Sequence, residues 1–521
     1  MAGRLMAGRY YIGIDGGTES VRAGVFDANG KPLAFAAEPY ATTFEHPSWA
    51  EQDPRQWWQS LKLAVPKALA AAGIAPNEVA GIGVDTTSCT VVALGPDMEP
   101  LRNAILWMDV RASEQAAQIL ASGHPALRVN AAGHGPLSAE WFLPKVKWIK
   151  ENQPQLYEQA TTFCEYQDYF NYKLTGRRVA SINNVSMRWH YDNANGGFSQ
   201  SFLEAIGLED LLPKLPQEVL PLGAVVGGLN AEAAAAFGLP EGIPVAQGGA
   251  DAFIAMIGLG VVRPGSLAFV TGSSHLHLGL SPKRFEAKGL WGTYSDAVIP
   301  GLGALEGGQT STGSIIKWLR GMLSEEAADY GNLNRKAAAL PPGSEGLVLL
   351  DHFQGNRTPY TDANSRGVIM GLTLKHGPEH LFRAVMEGVA FGTELILQTM
   401  RNVGFDPNHV VIAGGATRSD LFLQIHADVS GIPIHLTEVA DAPALGSAIL
   451  AAVGAGDFPD IVSASDAMVR PSRTVEPSAA RHEQYQELYA TYNDIYPRLA
   501  DLLHKQAALQ AESPSAAKTP A

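Results

Sequence analysis

Cysteine is nearly absent: Cys89 and Cys164 are the only two in 521 residues. That scarcity excludes a disulfide framework and a cysteine-built metal site, and it suits a reducing compartment. Long apolar runs are missing too. No stretch reaches the roughly 18 residues a membrane span needs, and the most apolar segments, 252–262 and 442–454, are interrupted by glycines and read as buried helices. Residues 1–9 have two arginines but no apolar stretch behind them, so a signal peptide is not expected. Positive charge is in deficit, with 38 Lys+Arg against 52 Asp+Glu and a net charge of −14. No basic patch with interleaved aromatics occurs, so nucleic acid is not an expected partner. Several signatures are also lacking: Gly-x-x-x-x-Gly-Lys-Ser/Thr, His-Glu-x-x-His, Gly-x-Ser-x-Gly, and Gly-x-Gly-x-x-Gly after the first strand. Their absence argues against P-loop ATPases, zincins, α/β-hydrolases and dinucleotide oxidoreductases. The expectation is a soluble cytoplasmic protein with neither a membrane nor a nucleic-acid partner.

What is present is an ordinary globular composition, 46% hydrophobic and 17% charged, in a chain long enough for more than one domain. Strand and helix patterns alternate, which predicts an α/β fold. Residues 10–15 and 20–27 read as strands, and Asn29-Gly30 as a tight hairpin turn into a third strand at 33–37. An amphipathic helix is expected over 52–72 and a buried strand over 79–84. After the glycine-rich stretch 238–265 a second α/β block is expected, with strands at 266–270 and 410–413. Its helices should lie near 314–323, 379–403, 419–429 and 444–452. The division is therefore 10–260, 261–500 and a disordered tail over 501–521.

Five short segments carry chemistry. Asp15-Gly16-Gly17-Thr18 at a hairpin tip can wrap a phosphate, with Asp15 holding Mg²⁺ through water; the plain alternative is a tight turn. The pattern of a strand running into small residues returns at Ile82-Gly-Val-Asp85 and at Val410-Val-Ile-Ala-Gly414-Gly415. Gln247-Gly-Gly-Ala-Asp251 sets a carboxylate before an apolar helical stretch, either as a helix cap or as a general base toward a substrate hydroxyl. Thr271-Gly272-Ser273-Ser274-His275 offers donors to a terminal phosphate, or is a polar turn. Glu306-Gly-Gly-Gln309 suits sugar hydroxyls, or is a solvated loop. Gly414-Gly415 lets a flat base lie on the backbone, or serves close packing. His134, His190, His275 and His426 show no ligand spacing and read as structural.

Together these residues resemble the FGGY family of carbohydrate kinases, within the actin/hexokinase-like (ribonuclease H-like) fold, over roughly residues 10–500. Gly367-Val-Ile-Met-Gly371 through Glu387 fits the family's C-terminal signature. Lys145-Val-Lys-Trp148-Ile-Lys-Glu-Asn152 fits the second half of its N-terminal signature, while Glu140 and Phe142 depart from the first half. Gly83-Val-Asp-Thr-Thr-Ser-Cys-Thr90, Trp107-Met-Asp-Val-Arg111, Glu306-Gly-Gly-Gln309 and Asp351-His-Phe-Gln-Gly-Asn356 are similar to the ribulokinase branch. Xylulokinase-like members usually carry Gln-Met-His where this chain has Thr87-Ser88-Cys89.

The resemblance implies two domains with a nucleotide cleft between them, and ATP with Mg²⁺. It implies Asp251 as catalytic base, Asp15 as the Mg²⁺ carboxylate, and Gly16, Gly17 and Thr18 as the first phosphate loop. Thr271, Gly272 and Ser273 form the second, with the choice between the two hydroxyls left open. Gly414 and Gly415 match the adenosine site, and Gln309 falls on the cofactor side. Ser88, Arg188, Asp251 and Glu306 match the sugar pocket, Arg188 standing where Lys is more usual. The expected reaction is phosphorylation of a ribulose-type ketopentose at its terminal hydroxyl. The alternatives are another ketose or polyol (xylulose, erythritol, glycerol) and a non-catalytic actin-like nucleotide-binding module. Apolar residues on the C-terminal helices leave room for a homodimer.

Overall fold

Three strands open the chain, β1 (Tyr10–Gly16), β2 (Ser20–Asp27) and β3 (Pro32–Pro39), paired antiparallel in sequence order. The Asp27 carboxylate holds the expected turn at Asn29-Gly30 by accepting from the amides of Asn29 and Lys31. The computed structural model describes residues 8–130, 137–285, 287–325 and 327–512, and His134 falls outside them. Helix α1 (Pro54–Ala72) starts with Asp53 accepting from the Arg55 amide and Pro54 in its first turn. Trp57, Leu61, Ala64, Val65 and Ala68 recur every three or four residues and bury one face of α1 against β2 and β3. On the other side of β1, β4 (Val79–Thr86) runs parallel to it. Strands β5 (Val225–Gly228) and β6 (Pro244–Ala246) complete a sheet of order β5-β6-β4-β1-β2-β3.

The second sheet contains β7 (Ser266–Thr271), β8 (His275–Ser281), β9 (Trp291–Ser295), β10 (Gly303–Gln309), β11 (His409–Gly414), β12 (Ile434–Thr437) and β13 (Pro471–Val475). Their order is β9-β10-β8-β7-β11-β12-β13. One plan underlies both sheets. In β3-β2-β1-β4-β6 and in β10-β8-β7-β11-β12, an antiparallel meander is extended by two strands parallel to its first. This explains the similarity of residues 12–18, 82–88 and 410–416: all three are ends of parallel strands. Glu306 and Gln309 lie in β10 and are buried, which excludes the plain alternative of a solvated loop.

The remaining helices that matter are α2 (Phe142–Asn152), α3 (Ile182–Arg188), α4 (Asp251–Gly258), α5 (Gly313–Gly321), α6 (Pro378–Asn402), α7 (Asp420–Ser430), α8 (Ala442–Gly454) and α9 (Ala479–Glu512). Sequence assigned 444–452 to the second block, but α8 packs on the first sheet. A Cβ at Gly13 or Gly83 would lie 1.9 Å from the carbonyl oxygens of Ala444 and Ser447, so the helix backbone rests directly on β1 and β4. The small residues Ala442, Ala444, Gly446, Ser447, Ala448 and Ala451 give α8 the flat face this needs. The tail expectation also changes: residues 501–512 are helical, with Leu503 and Ala507 buried, and 513–521 lie outside the described residues. Among the described residues no helix is long and apolar enough to cross a membrane.

His275, His277 and His426 are buried around Phe269, with ring centroids 4.9, 4.6 and 5.4 Å from it. Burial holds all three below the usual imidazole range, His277 at about 3 and His426 at about 4. The fold therefore binds fewer protons here than the unfolded chain does. The stability involved is complete above the unfolded value of about 6.5 and is lost as pH falls toward the folded values. A His277→Leu protein is expected to lose less Tm between pH 6.5 and 5 than the parent, by differential scanning fluorimetry. Parallel Tm–pH curves would refute this.

Candidate active site

The parallel strands β1, β4 and β6 end at one edge of the first sheet, the place where open α/β sheets form crevices. Asp15 stands there in register with Asp85 of β4. Asp251 follows the turn after β6 as the first residue of α4. The turn is pinned by the Thr86 amide donating to Gly249 O at 3.1 Å and the Ala250 amide donating to Asn183 Oδ1 at 2.9 Å. Asp251 is not the helix cap: Ala250 occupies that position, and Asp251 Oδ1 accepts from its neighbour's amide, Ala252 N, at 2.6 Å.

Burial pushes Asp251 up to about 6, against the pull of the Ala252 amide. Asp15 is pushed up to about 7, by burial first and then by the charges of Asp251 and Asp441. Burial and then Asp15 lift Asp85 well above the usual carboxylate range. Asp441 accepts from the Ala444 amide at the start of α8 and pairs with Arg22, which also lies 3.9 Å from Asp15. That contact ties β2 to the start of α8. Ser447 Oγ donates to Asp85 Oδ2 at 2.7 Å, and Asp85 Oδ1 is buried without a partner.

Four carboxylates against one arginine leave an oxygen-rich site short of positive charge. Among the described residues no three ligating side chains are close enough to hold a metal by themselves. Such a donor set fits Mg²⁺, which keeps several waters and takes one or two carboxylates together with phosphate oxygens. Sequence reasoning did not single out Asp85 or Asp441. The repeated strand ending at Asp85 was its signal; Asp441 has no local one.

Gly16, Gly17 and Thr18 form the β1–β2 turn, closed by Gly17 N donating to Ser20 O at 3.0 Å. Gln52 Nε2 donates to Thr18 O at 2.7 Å and Trp107 Nε1 to Thr18 Oγ1 at 3.0 Å, which leaves the Thr18 O–H to donate elsewhere. At the second sheet Thr271 and Gly414 are opposed at the ends of β7 and β11. The Thr271 hydroxyl is buried, donates to Ala413 O at 2.7 Å and accepts from Ala416 N at 3.3 Å, so it braces the Gly414 loop. Ser273 and Gly272 are exposed. The Ser273 carbonyl accepts from the amides of Thr312 and Ser314 at 3.0 and 3.3 Å, tying this loop to the start of α5. Gly414 has φ 102°, a conformation that favours glycine, and Gly415 faces open space. Gln309 points the other way from its expected cofactor role. Its Nε2 donates to Asp351 Oδ2 and Val389 O, both at 2.9 Å, and its Oε1 accepts from the Thr393 hydroxyl at 3.0 Å. The amide is consumed in joining β10 to α6.

Arg188 and Glu306 form a third group, with Ser88 linked to it through its chain neighbour Cys89. Arg188 ends α3, and its guanidinium donates to Glu306 Oε2 at 2.7 Å and to the Tyr294 hydroxyl at 2.8 Å. The rings of Trp141, Trp291 and Tyr294 surround it at 5.1–5.7 Å. Tyr294 in turn donates to Asn130 Oδ1 at 3.0 Å. Ser88 is half-buried, and the adjacent Cys89 thiol is near enough to feel the Arg188 charge. Burial pushes that thiol up to about 12, so it is inert near neutral pH. Tyr294 and Trp291 escaped sequence reasoning because the strand β9 that carries them was not predicted, and Asn130, which follows the turn Pro125–Val129, has no local signal.

Residues 10–258 match the N-terminal domain of the FGGY family of carbohydrate kinases, and residues 267–455 match its C-terminal domain. A ribulokinase of Shouchella clausii is 34% identical, covering 94% of this chain and 95% of its own. The FGGY carbohydrate kinase domain-containing protein of Homo sapiens is 31% identical over 93% of this chain and 95% of its own. The crystal structure of xylulose kinase from Rhodospirillum rubrum superimposes with a TM-score of 0.85 at 30% identity, over 95% of this chain and 100% of that one. With this two-domain fold and both domain matches spanning most of its length, the chain belongs to the FGGY family of carbohydrate kinases.

Proposed function

We propose that this kinase transfers the γ-phosphoryl group of ATP to the terminal hydroxyl of a ribulose-type ketopentose, with Asp251 as general base. The observation that carries the reading is Asp251 itself: a carboxylate on the first turn of α4, beside Asp15, raised by burial to about 6. A base with that affinity is ionised at neutral pH yet basic enough to take an alcohol proton as it becomes acidic in the transition state. Asp15, with Asp85 behind it, would hold Mg²⁺, which when bound neutralises charge on the transferring phosphate. Thr18, Gly272 and the exposed Ser273 hydroxyl donate to phosphate oxygens, and the open face at Gly415 takes the adenosine. Arg188, Glu306 and Ser88 orient the sugar so that its hydroxyl faces Asp251. The name of the ribulokinase relative supports ribulose, and that of the superimposed structure favours xylulose as the second reading. Two buried free thiols fit a cytoplasmic location.

The deciding experiment is a coupled ADP-release assay with Mg-ATP and D-ribulose, L-ribulose, D-xylulose, L-xylulose, erythritol and glycerol. Strong turnover of one ribulose epimer is expected; preference for any other compound overturns the substrate reading. With the preferred sugar, kcat/KM should fall about tenfold per pH unit below the Asp251 value of about 6, as the base takes up its proton. A flat profile from pH 7 to 5 would sink Asp251 as base.

A further inference from the structure

Cys89 has a left-handed backbone, φ 62°, which is uncommon outside glycine and concentrates at functional sites. Two buried charged side chains grip its peptide groups. Its N–H donates to Glu165 Oε2 at 2.9 Å, and its carbonyl accepts from Lys145 Nζ at 2.9 Å. Lys145, on α2, is 0% exposed, and its ammonium also donates to Leu106 O at 2.5 Å and Trp107 O at 3.5 Å. Trp107 is the residue whose indole meets Thr18. Glu165, also 0% exposed, accepts from Asn184 Nδ2 at 3.0 Å and Trp189 Nε1 at 2.6 Å, and these residues flank Arg188 on and after α3. The hydrogen-bond partners of both are neutral, and although each charge lies near enough to offset part of the other, burying the two is costly; the phosphoryl-transfer chemistry uses neither.

We infer that Lys145 and Glu165 are positioning residues for the sugar, locking the Ser88-Cys89 turn to the Arg188 helix and thereby setting which hydroxyl configuration the pocket accepts. The inference rests on the reading that Ser88 and Arg188 meet the sugar. A charged holder suits the task, because hydrogen bonds to ionised groups are stronger and more directional than neutral ones. Burial pushes Lys145 down to about 8 and Glu165 up to about 7.

The test uses Glu165→Gln, Lys145→Met and Trp189→Phe in the full chain. The last removes one donor to Glu165 while keeping the ring stack on Phe142, whose centroid lies 3.6 Å away, so it reports even where the charge variants fail to fold. Readouts are KM and kcat for the preferred sugar and its epimer, KM for ATP, and ATP hydrolysis without sugar. In the charge variants kcat/KM for the preferred sugar should fall at least roughly tenfold, and its lead over the epimer should shrink by a similar factor. The Glu165 carboxylate bonds to Cys89, Asn184 and Trp189 and not to the Trp107–Thr18 side, so in Glu165→Gln KM for ATP and sugar-free hydrolysis should stay within about twofold. Trp189→Phe should shift the epimer ratio in the same direction by less. An equal loss for both sugars, a parallel rise in KM for ATP in Glu165→Gln, or an unchanged epimer ratio in Trp189→Phe would overturn the inference alone. A parent protein silent toward every sugar would overturn the substrate reading and this inference with it.

Discussion

Asp251→Asn is expected to lower kcat about 10²–10⁴-fold, the usual worth of a general base, and to make the same protein more stable. The amide keeps the shape and still accepts from Ala252 N, so sugar and nucleotide affinity should persist. What disappears, on the proposed mechanism, is the acceptor for the hydroxyl proton. The stability gain follows from the direction of the shift. Asp251 holds its proton more tightly folded than unfolded, 3.8 rising to about 6. Stability from this group is therefore greatest at low pH and declines as pH rises through that interval. At pH 7.5 the full cost of an ionised buried carboxylate is present, on the order of 3 kcal/mol. Asparagine removes it. Melting curves at pH 7.5 with ADP-release kinetics check both halves: retained turnover would refute the base, and a lower Tm would refute the electrostatic account.

Glu306→Ala should be among the most destabilising single changes in the molecule. It leaves the Arg188 guanidinium buried inside its aromatic box, 7% exposed, without its countercharge. Stripping one partner from such a pair costs about 3–5 kcal/mol. The pair joins α3 of the first half to β10 of the second, so the loss also loosens the contact between them. A double variant, Arg188→Met with Glu306→Leu, removes both charges and should recover most of the stability. It should not recover sugar turnover if, as proposed, Arg188 and Glu306 orient the substrate. Chemical denaturation of the single and double variants, alongside kinetics, separates the two roles. Full stability in Glu306→Ala would show that Arg188 finds another partner.

How much of this was legible in the sequence depended on how local the signal was. The opening meander was readable because Asn29-Gly30 and the alternation of β2 act over a few residues. The strand-end placement of Asp15, Asp251 and Gly414-Gly415 was readable because strand and small residues sit side by side in the chain. Gln309 was misread: its environment is supplied by Asp351 and Thr393, far along the chain, which consume its amide. Asp441 and Tyr294 were missed for the same reason in reverse, since nothing beside them announces chemistry and tertiary packing alone brings them to the site. Thr271 and Ser273 looked equivalent as hydroxyls, and only the path of the Gly414 loop beside Thr271 distinguishes them.

The seating of α8 on β1 and β4 has a consequence for how the protein is made. On the ribosome, the opening sheet emerges with one of its faces bare, and the helix that covers it ends at residue 454. The first half of the chain must therefore wait, part-finished, for nearly all of the second. A nascent chain halted near residue 260 would display that uncovered sheet to chaperones rather than a completed domain, so the boundary between the two sequence-matched halves is not a boundary between units of folding.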